Sequence, residues 1–452
     1  MNYEESLAFC KNLAMFGMNL GLSRIRELSR LVLGPLPWGP RFIQVAGTNG
    51  KGSAAAILAA MIGASGQDCG LFTSPHLEDY RERCRIGNSL ISREDFAFVI
   101  TELAPLWQQM ADVGWDPPTE FEVSTAAALR YFQLKDVPWA VMEAGLGGEL
   151  DSTNVVPGEI AIITNIGHDH NQYLGETLTE IARAKAGIIK PGALVITGAK
   201  GKALEVIRAK AKEQNSGLLV LGEDFDWSQE SFSELGQYFS WSLKDRIIEP
   251  HKCEETRKNN KCDLNLNLKS QISNLKQLFL PLLGRHQLDN AVLALAAGSC
   301  LGLPEAALRQ GLAQVSWPGR LEIVGQKPLL LLDGAHNPEG MAALARSLAE
   351  YWPRQRKIGL IGMLDDKAIE EALTRILPQL DTVIITRPSD ERAENWQKLE
   401  IICHDAGRRV LIEEDVALAL AKAKDLAQPK DMIVVCGSLY LVGEVKKICK
   451  SL

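Results

Sequence analysis

The sequence predicts an α/β protein: an amino-terminal P-loop-type domain on a doubly wound parallel sheet, then a smaller carboxyl-terminal Rossmann-like α/β domain. Three observations lead there. Short β-rich runs alternate with longer amphipathic segments from about Arg41 to Leu221. A glycine-rich turn separates the first of these runs from a helical segment. A second alternating series starts near Trp317.

The first series reads RFIQVAG, CGLFT, PWAVMEAG, EIAIITNIG, ALVITG and GLLVLG. Nearly continuous apolar runs of this length suit strands covered on both faces. Ser92 with Asp95, and Thr177 with Glu180, resemble capping boxes, in which a hydroxyl accepts a backbone N–H and the acid reaches back to another. From 223 to 274 the rhythm breaks, with mixed aromatics followed by the charged run KDRIIEPHKCEETRKNNKCD, and an exposed excursion is expected there. After the helical stretch HQLDNAVLALAAGSCLG, the second series reads PLLLLDG, KIGLIGM, DTVIITRP, RRVLIEE and DMIVVCG. The division implied is residues 1–315 and 316–452, with 314–319 as a hinge.

Composition narrows the function. The chain has 452 residues, and 49 Lys plus Arg against 56 Asp plus Glu give 49 − 56, a net charge of −7. That sign argues against a nucleic-acid partner. With 46% hydrophobic residues and no apolar run near the ~18 that a spanning helix needs, no membrane partner is expected. The start MNYEESLAFCKNLAMFG has early glutamates where a secretory signal would be basic, so a cytoplasmic protein is expected. Nine cysteines without a C-x-x-C pair fit neither a disulfide framework nor a zinc knuckle, and are read as mostly inert, buried thiols; Cys253 and Cys262 are also too widely spaced for the latter.

The turn is Gly47-Thr48-Asn49-Gly50-Lys51-Gly52-Ser53. Glycines let backbone N–H groups converge on an anion, a helix N-terminus adds positive potential, and Lys51 supplies a point charge, so a nucleoside triphosphate is the natural ligand. The strict P-loop pattern is not met, because Val45 stands at the first glycine position and Gly52 separates Lys51 from Ser53. Ser74, Glu143 and His170 each fall at or just past the carboxyl end of a predicted strand, the edge where open parallel sheets bind ligands. Together with phosphate oxygens and water they could complete an octahedron around Mg²⁺. The alternatives are a helix-capping Ser74, a Glu143 paired with a cation and a His170 satisfied by backbone.

GTNGKGS, TSPHL, EAGLGGELDSTN, GHDHNQYLG, KAGIIK, LPLLGRHQ, PGRLE, DGAHNP and CGSLYLVGE together resemble the folylpolyglutamate synthase/dihydrofolate synthase family of the Mur-ligase superfamily, from about Leu20 to the last helix. The resemblance implies an ATP-dependent ligase that activates a carboxylate as an acyl phosphate for attack by the amine of L-glutamate. It implies that Gly47 to Ser53 cradle ATP, with Asn290, Arg320 and Asp333 as further contacts, and that Ser74, Glu143 and His170 hold Mg²⁺. Asp333 and His336 are expected to face the active cleft, joining Lys51, His170 and Lys185 as catalytic candidates. Lys185 matches a lysine that the family carboxylates at N6, which would make it an oxygen ligand for a second Mg²⁺. For a pterin or folate substrate the resemblance points to Thr119, Glu120, Phe121, Glu122, Leu150, Asp151 and Ser152, with His76 and Arg83 near substrate or phosphate. Other readings stay open: a helix cap for Asp333, a surface ion pair for Arg320, a core aromatic for Phe121 and a solvated helix face for Lys185. A monomer acting on small molecules is expected.

The match has departures. Glu149 stands where the family usually has arginine, Ala184 replaces a glutamate and His168 a leucine. The first reverses a charge beside the substrate loop, which bears on specificity before catalysis. Two rivals are a ligase of cell-wall nucleotide precursors, against which TSPHL with DGAHNP argues by resemblance, and a nucleotide-gated switch. The switch lacks an Asn-Lys-x-Asp base-reading run.

Overall fold

The protein is described by a computed structural model covering residues 1–13, 17, 19–36, 38–244, 274–365 and 367–451. Among these residues the strands form three sheets. The first contains β1 (Arg41–Ala46), β2 (Cys69–Phe72), β3 (Cys84–Ile86), β4 (Ser89–Leu90), β5 (Trp139–Glu143), β6 (Gly158–Ile163), β7 (Leu194–Thr197) and β8 (Gly217–Val220). Their order is β4-β3-β2-β5-β1-β6-β7-β8. From β2 to β8 every pairing is parallel, and β3 and β4 close one edge antiparallel. All six predicted runs of the first series lie on these strands. The hairpin was missed because strands of two or three residues carry no usable period.

Alternation along β1 explains why both faces are covered. Ile43 and Val45 enter a core with the helices Lys51–Ala64 and Arg285–Cys300, whereas Phe42 joins Phe72, Ala140 and Met142 in a second core against the helices Tyr3–Asn12, Ser23–Leu33, Arg93–Asp112 and Glu120–Leu134. The helix Lys51–Ala64 is rich in alanine and apolar on nearly all sides, as a helix sandwiched between sheet and helix must be.

Residues 225–243 and 274–280 correct the expected excursion. They form β9 (Phe225–Ser233), β10 (Gly236–Leu243) and β11 (Asn274–Leu280), an antiparallel sheet in the order β11-β10-β9. Phe239, Trp241 and Leu243 alternate inward and join Phe225 in the core against Arg285–Cys300, so the aromatics that broke the rhythm are core positions with period two. Ser242 pairs with Asn274 at the open end of this sheet. The charged run from 245 to 263, with Cys253 and Cys262, lies outside the described residues.

The third sheet contains β12 (Glu322–Gln326), β13 (Leu329–Leu332), β14 (Lys357–Ile361), β15 (Thr382–Ile385), β16 (Arg409–Ile412) and β17 (Met432–Cys436), in the order β12-β13-β17-β14-β15-β16. Only β12 runs antiparallel to its neighbour. The helices Pro338–Tyr351, Ile369–Ile376 and Lys398–Asp405 cover one face, and Val416–Leu426 and Leu439–Ser451 the other.

The predicted caps are partly realised. Thr177 and Glu180 make both halves of a capping box; Ser92 Oγ accepts the Asp95 N–H at 2.9 Å, but the Asp95 carboxylate bonds Lys135 instead. Cys10, Cys69, Cys84, Cys300, Cys403 and Cys436 are buried free thiols, and no helix among the described residues is long and apolar enough to cross a membrane.

Candidate active site

Since β2, β5, β1 and β6 are parallel neighbours, their carboxyl ends open on one edge. The glycine loop follows β1 there. Gly47 (φ +147°) and Gly50 (φ +82°) adopt backbone that side chains disfavour, and a Cβ at either would run into Thr164 Oγ1 or Asn290 Oδ1 respectively. The segment after β6 pins the loop: Asn165 O accepts the Thr48 N–H (2.9 Å), Asn165 Oδ1 accepts the Asn49 N–H (3.0 Å), and the Thr48 hydroxyl donates to Gly167 O (3.0 Å). Lys51 Nζ donates to Thr48 O at 3.1 Å. Ser53, in the first helical turn, is 1% exposed, and its Oγ has no hydrogen-bond partner among the described residues. A buried hydroxyl left open beside a helix N-terminus is suited to an anion.

Glu143 ends β5 at 5% exposure and accepts the Ser74 N–H at 3.0 Å, so two of the three predicted metal positions touch. Burial pushes the Glu143 carboxyl up to about 7, against the opposing pull of Lys51 and Arg320. Lys185 is also buried, and donates to Gly47 O at 2.8 Å rather than facing solvent. Burial and the charge of Lys51 push its amine down to about 7. His170 takes φ +55° and turns its Nε2 to within 3.4 Å of Lys367 Nζ. Among the described residues no three of His, Cys, Asp and Glu gather as metal ligands, so an ion here would draw on the Ser74 hydroxyl and on a nucleotide's own oxygens.

Asp169, which no sequence pattern singled out, is the hub between the two domains. Its Oδ1 lies 3.1 Å from Lys367 Nζ; its Oδ2 accepts from Asn337 Nδ2 at 2.9 Å and lies 3.7 Å from His336 Nε2. Burial alone would raise its pKa, but His336, His170 and Lys367 hold it well below the usual carboxylate range. Asn337 also exchanges hydrogen bonds with Asn49 of the glycine loop at 3.0 and 3.2 Å.

Two cavities flank this hub. One, of about 290 Å³, is lined by Asn49, Gly50, Ser53, Asn290, Arg320 and Asp333. The other, of about 300 Å³, is lined by Thr119, Glu120, Phe121, Leu150, Asp151 and Ser152, together with Ser74, His170 and Lys367. His336 borders both. Six of the predicted nucleotide residues and six of the predicted pterin residues thus separate into two adjoining spaces, while Gly47, Thr48, Lys51 and Gly52 line neither.

Glu122 does not line the second cavity, which corrects its expected substrate role. At 1% side-chain exposure its carboxylate pairs with Arg24 Nε at 3.1 Å and accepts the Thr119 N–H at 2.7 Å. The Thr119-x-x-Glu122 spacing is a capping box, a signal present in the sequence and passed over. Asp333 does not cap the following helix: its oxygens accept the N–H groups of Leu321 and Ala335 (both 2.9 Å), and Asn337 is the cap, accepting from Gly340 N at 2.8 Å. Asp151 uses its carboxylate to hold the cavity wall, accepting from Leu146 N (2.7 Å) and from Thr153 N and Oγ1 (3.0 and 2.6 Å). Phe121 packs 5.8 Å from the Phe72 ring, as a core aromatic would, and also lines the cavity.

Arg83 lines the second cavity, pairs with Glu120 at 3.0 Å and donates to His76 Nδ1 at 3.2 Å. Burial and the Arg83 charge push His76 down to about 4. Of the departures, Glu149 and His168 both have exposed side chains, and their backbone N–H groups bond Ala184 O (2.7 Å) and Glu339 Oε1 (2.8 Å).

Comparison with known proteins accounts for this arrangement. The Mur ligase middle domain matches residues 45–298, and the Mur ligase glutamate ligase domain matches residues 319–439. The dihydrofolate synthase/folylpolyglutamate synthase of Bacillus subtilis is 30% identical over 456 residues, covering 99% of both chains. A relative from Haloferax volcanii, named a probable bifunctional folylpolyglutamate synthase/dihydropteroate synthase, is 33% identical over 449 residues; the chain spans about half (50%) of its length. Among solved structures, Escherichia coli FolC in complex with DHPP and ADP superimposes with a TM-score of 0.85 at 28% identity, covering 100% of this chain and 98% of that one. Two domain models in tandem and a relative matched from end to end make this chain a member of the Mur ligase family, in its folylpolyglutamate synthase/dihydrofolate synthase branch.

Proposed function

We propose that the chain is an ATP-dependent ligase that adds L-glutamate to dihydropteroate, to tetrahydrofolate (poly)glutamates, or to both, through an acyl phosphate, with release of ADP and phosphate. The observation that carries this reading is the meeting of the two cavities at His336. A carboxylate held in one can reach a phosphate held in the other, as in-line phosphoryl transfer requires. The related FolC structure with DHPP and ADP supports the same pairing of ligands.

In this reading the backbone donors from Gly47 to Ser53 and the open Ser53 hydroxyl orient the triphosphate, and Lys51 neutralises charge on its outer phosphates. Asn290, Arg320 and Asp333 complete the nucleotide side. Phe121 offers a flat face to the pterin, and Thr119, Glu120, Leu150, Asp151 and Ser152 frame it; Glu122 stiffens the same wall from behind. Ser74, Glu143 and His170 would hold Mg²⁺. The contact of Ser74 with Glu143 and the raised Glu143 carboxyl suit a buried acid whose charged form a cation would favour. When bound, the ion neutralises phosphate oxygens and orders them. Lys185 fits N6-carboxylation, since an amine brought down to about 7 has a neutral fraction at physiological pH; its nitrogen bonds the carbon of CO₂ and releases a proton.

We take residues 1–315 as the nucleotide-binding unit, supported by the completion of its sheets before β12, and 316–452 as the second unit. A monomeric, cytoplasmic enzyme is part of the same proposal.

The test is ADP release by the purified protein with ATP, Mg²⁺, glutamate and either dihydropteroate or tetrahydrofolate. Release should require both glutamate and pterin, and Lys51→Ala should abolish it. Turnover indifferent to both additions would overturn the reading.

A further inference from the structure

Lys367, His336 and Asn337 belong to the carboxyl-terminal domain, yet all three converge on one amino-terminal carboxylate. Asp169 is 12% exposed and Lys367 7% exposed at the side chain, with 3.1 Å between Oδ1 and Nζ. Asn337 Nδ2 donates to the other oxygen at 2.9 Å while its amide also holds Asn49 of the glycine loop. His336 Nδ1 lies 2.8 Å from Gly334 O; a carbonyl only accepts, so Nδ1 carries the hydrogen and Nε2 is the edge presented to Asp169 at 3.7 Å. Lys367 and His336 line the pterin-side cavity beside His170.

We propose that Asp169 is the positioning residue that seats Lys367, His336 and Asn337 against the phosphate loop, so that the reaction centre is complete only when the two domains are drawn together on its carboxylate. The inference rests on the ligase reading, in which an acyl phosphate must be kept from water until the amine arrives. A surface ion pair would not need three partners from another domain, nor would it be buried between two ligand cavities. Asp169 orders the groups that face the substrates without itself lining either cavity.

The experiment pairs kinetics with a distance. Spectroscopic labels on non-natural residues at Val113 and Leu418, both exposed and on opposite domains, report the separation in the full chain. Asp169→Asn and Lys367→Met should lengthen and broaden that separation, whereas Lys367→Arg, which keeps a cation for Asp169, should not. The two disruptive variants should lose about 10²-fold in kcat for glutamate-dependent ADP release, as a misplacement of reacting groups does, with KM for ATP unchanged. Wild-type separation in both disruptive variants would overturn the proposal, as would wild-type kcat. A wild-type protein that releases ADP without glutamate would defeat the ligase reading alone, because the label distance needs no substrate.

Discussion

Arg24→Met tests whether Glu122 is structural. The substitution keeps an apolar stem of similar length but removes the guanidinium that donates to Glu122 at 3.1 Å and to the Asn19 carbonyl. Glu122, 1% exposed, would keep the Thr119 N–H on one oxygen, while its other oxygen already has no partner among the described residues. Removing one partner of a buried pair leaves an uncompensated charge, at a cost of about 3–5 kcal/mol. Replacing both members by apolar groups, Arg24→Met with Glu122→Leu, removes that charge and should recover most of the loss, leaving about 1 kcal/mol for the helix cap that Glu122 also serves. Equilibrium unfolding in urea, followed by circular dichroism, measures both variants, and steady-state assays supply KM for the pterin. A loss below about 1 kcal/mol for Arg24→Met would refute the structural assignment, because a buried pair would then have been broken almost freely. So would a Glu122→Gln variant of unchanged stability whose pterin KM rises steeply, the outcome its originally expected role requires.

His76 makes a pH prediction. It is neutral in the fold, accepting from Arg83, and its pKa of about 4 lies below the ~6.5 of an unfolded histidine, so the unfolded chain binds the extra proton between those values. Its contribution is intact above about pH 6.5 and is lost as pH falls, by roughly 3 kcal/mol once below pH 4; comparing wild type with His76→Gln across that window should show the difference, and parallel curves would refute it. Gly47→Ala drives a methyl into Thr164 Oγ1 at a backbone angle that alanine resists, so ADP affinity by calorimetry should weaken by at least about tenfold, given overpacking costs near 1–3 kcal/mol. Unchanged affinity would mean that the loop can move aside without harm.

What could be read from the sequence was what local physics writes there. The strand runs were legible because parallel strands covered on both faces need unbroken apolar stretches, and the glycine loop because its backbone tolerates no Cβ at Gly47 or Gly50. Asp169 was not legible: its partners lie 167 to 198 residues away, and nothing in the run GHDH distinguishes a hub from its neighbours. Glu122 failed for the opposite reason. Its capping-box spacing was plain, but the resemblance assigned the whole TEFE segment to substrate, although the first turn of a helix must also satisfy its own donors. In β10 the inward alternation of Phe239, Trp241 and Leu243 was present in the letters, but the charged run beyond it coloured the reading of the whole stretch.

The pairing of Ser242 with Asn274 has a consequence for engineering and for divergence within the family. Because these two residues are already ladder neighbours, the polypeptide joining them starts and finishes at one fixed doorway, and its length is decoupled from the spacing of everything inside. Fusion tags, reporters or natural insertions introduced between 244 and 274 would enter and leave the fold at that same doorway, beside β10 and β11.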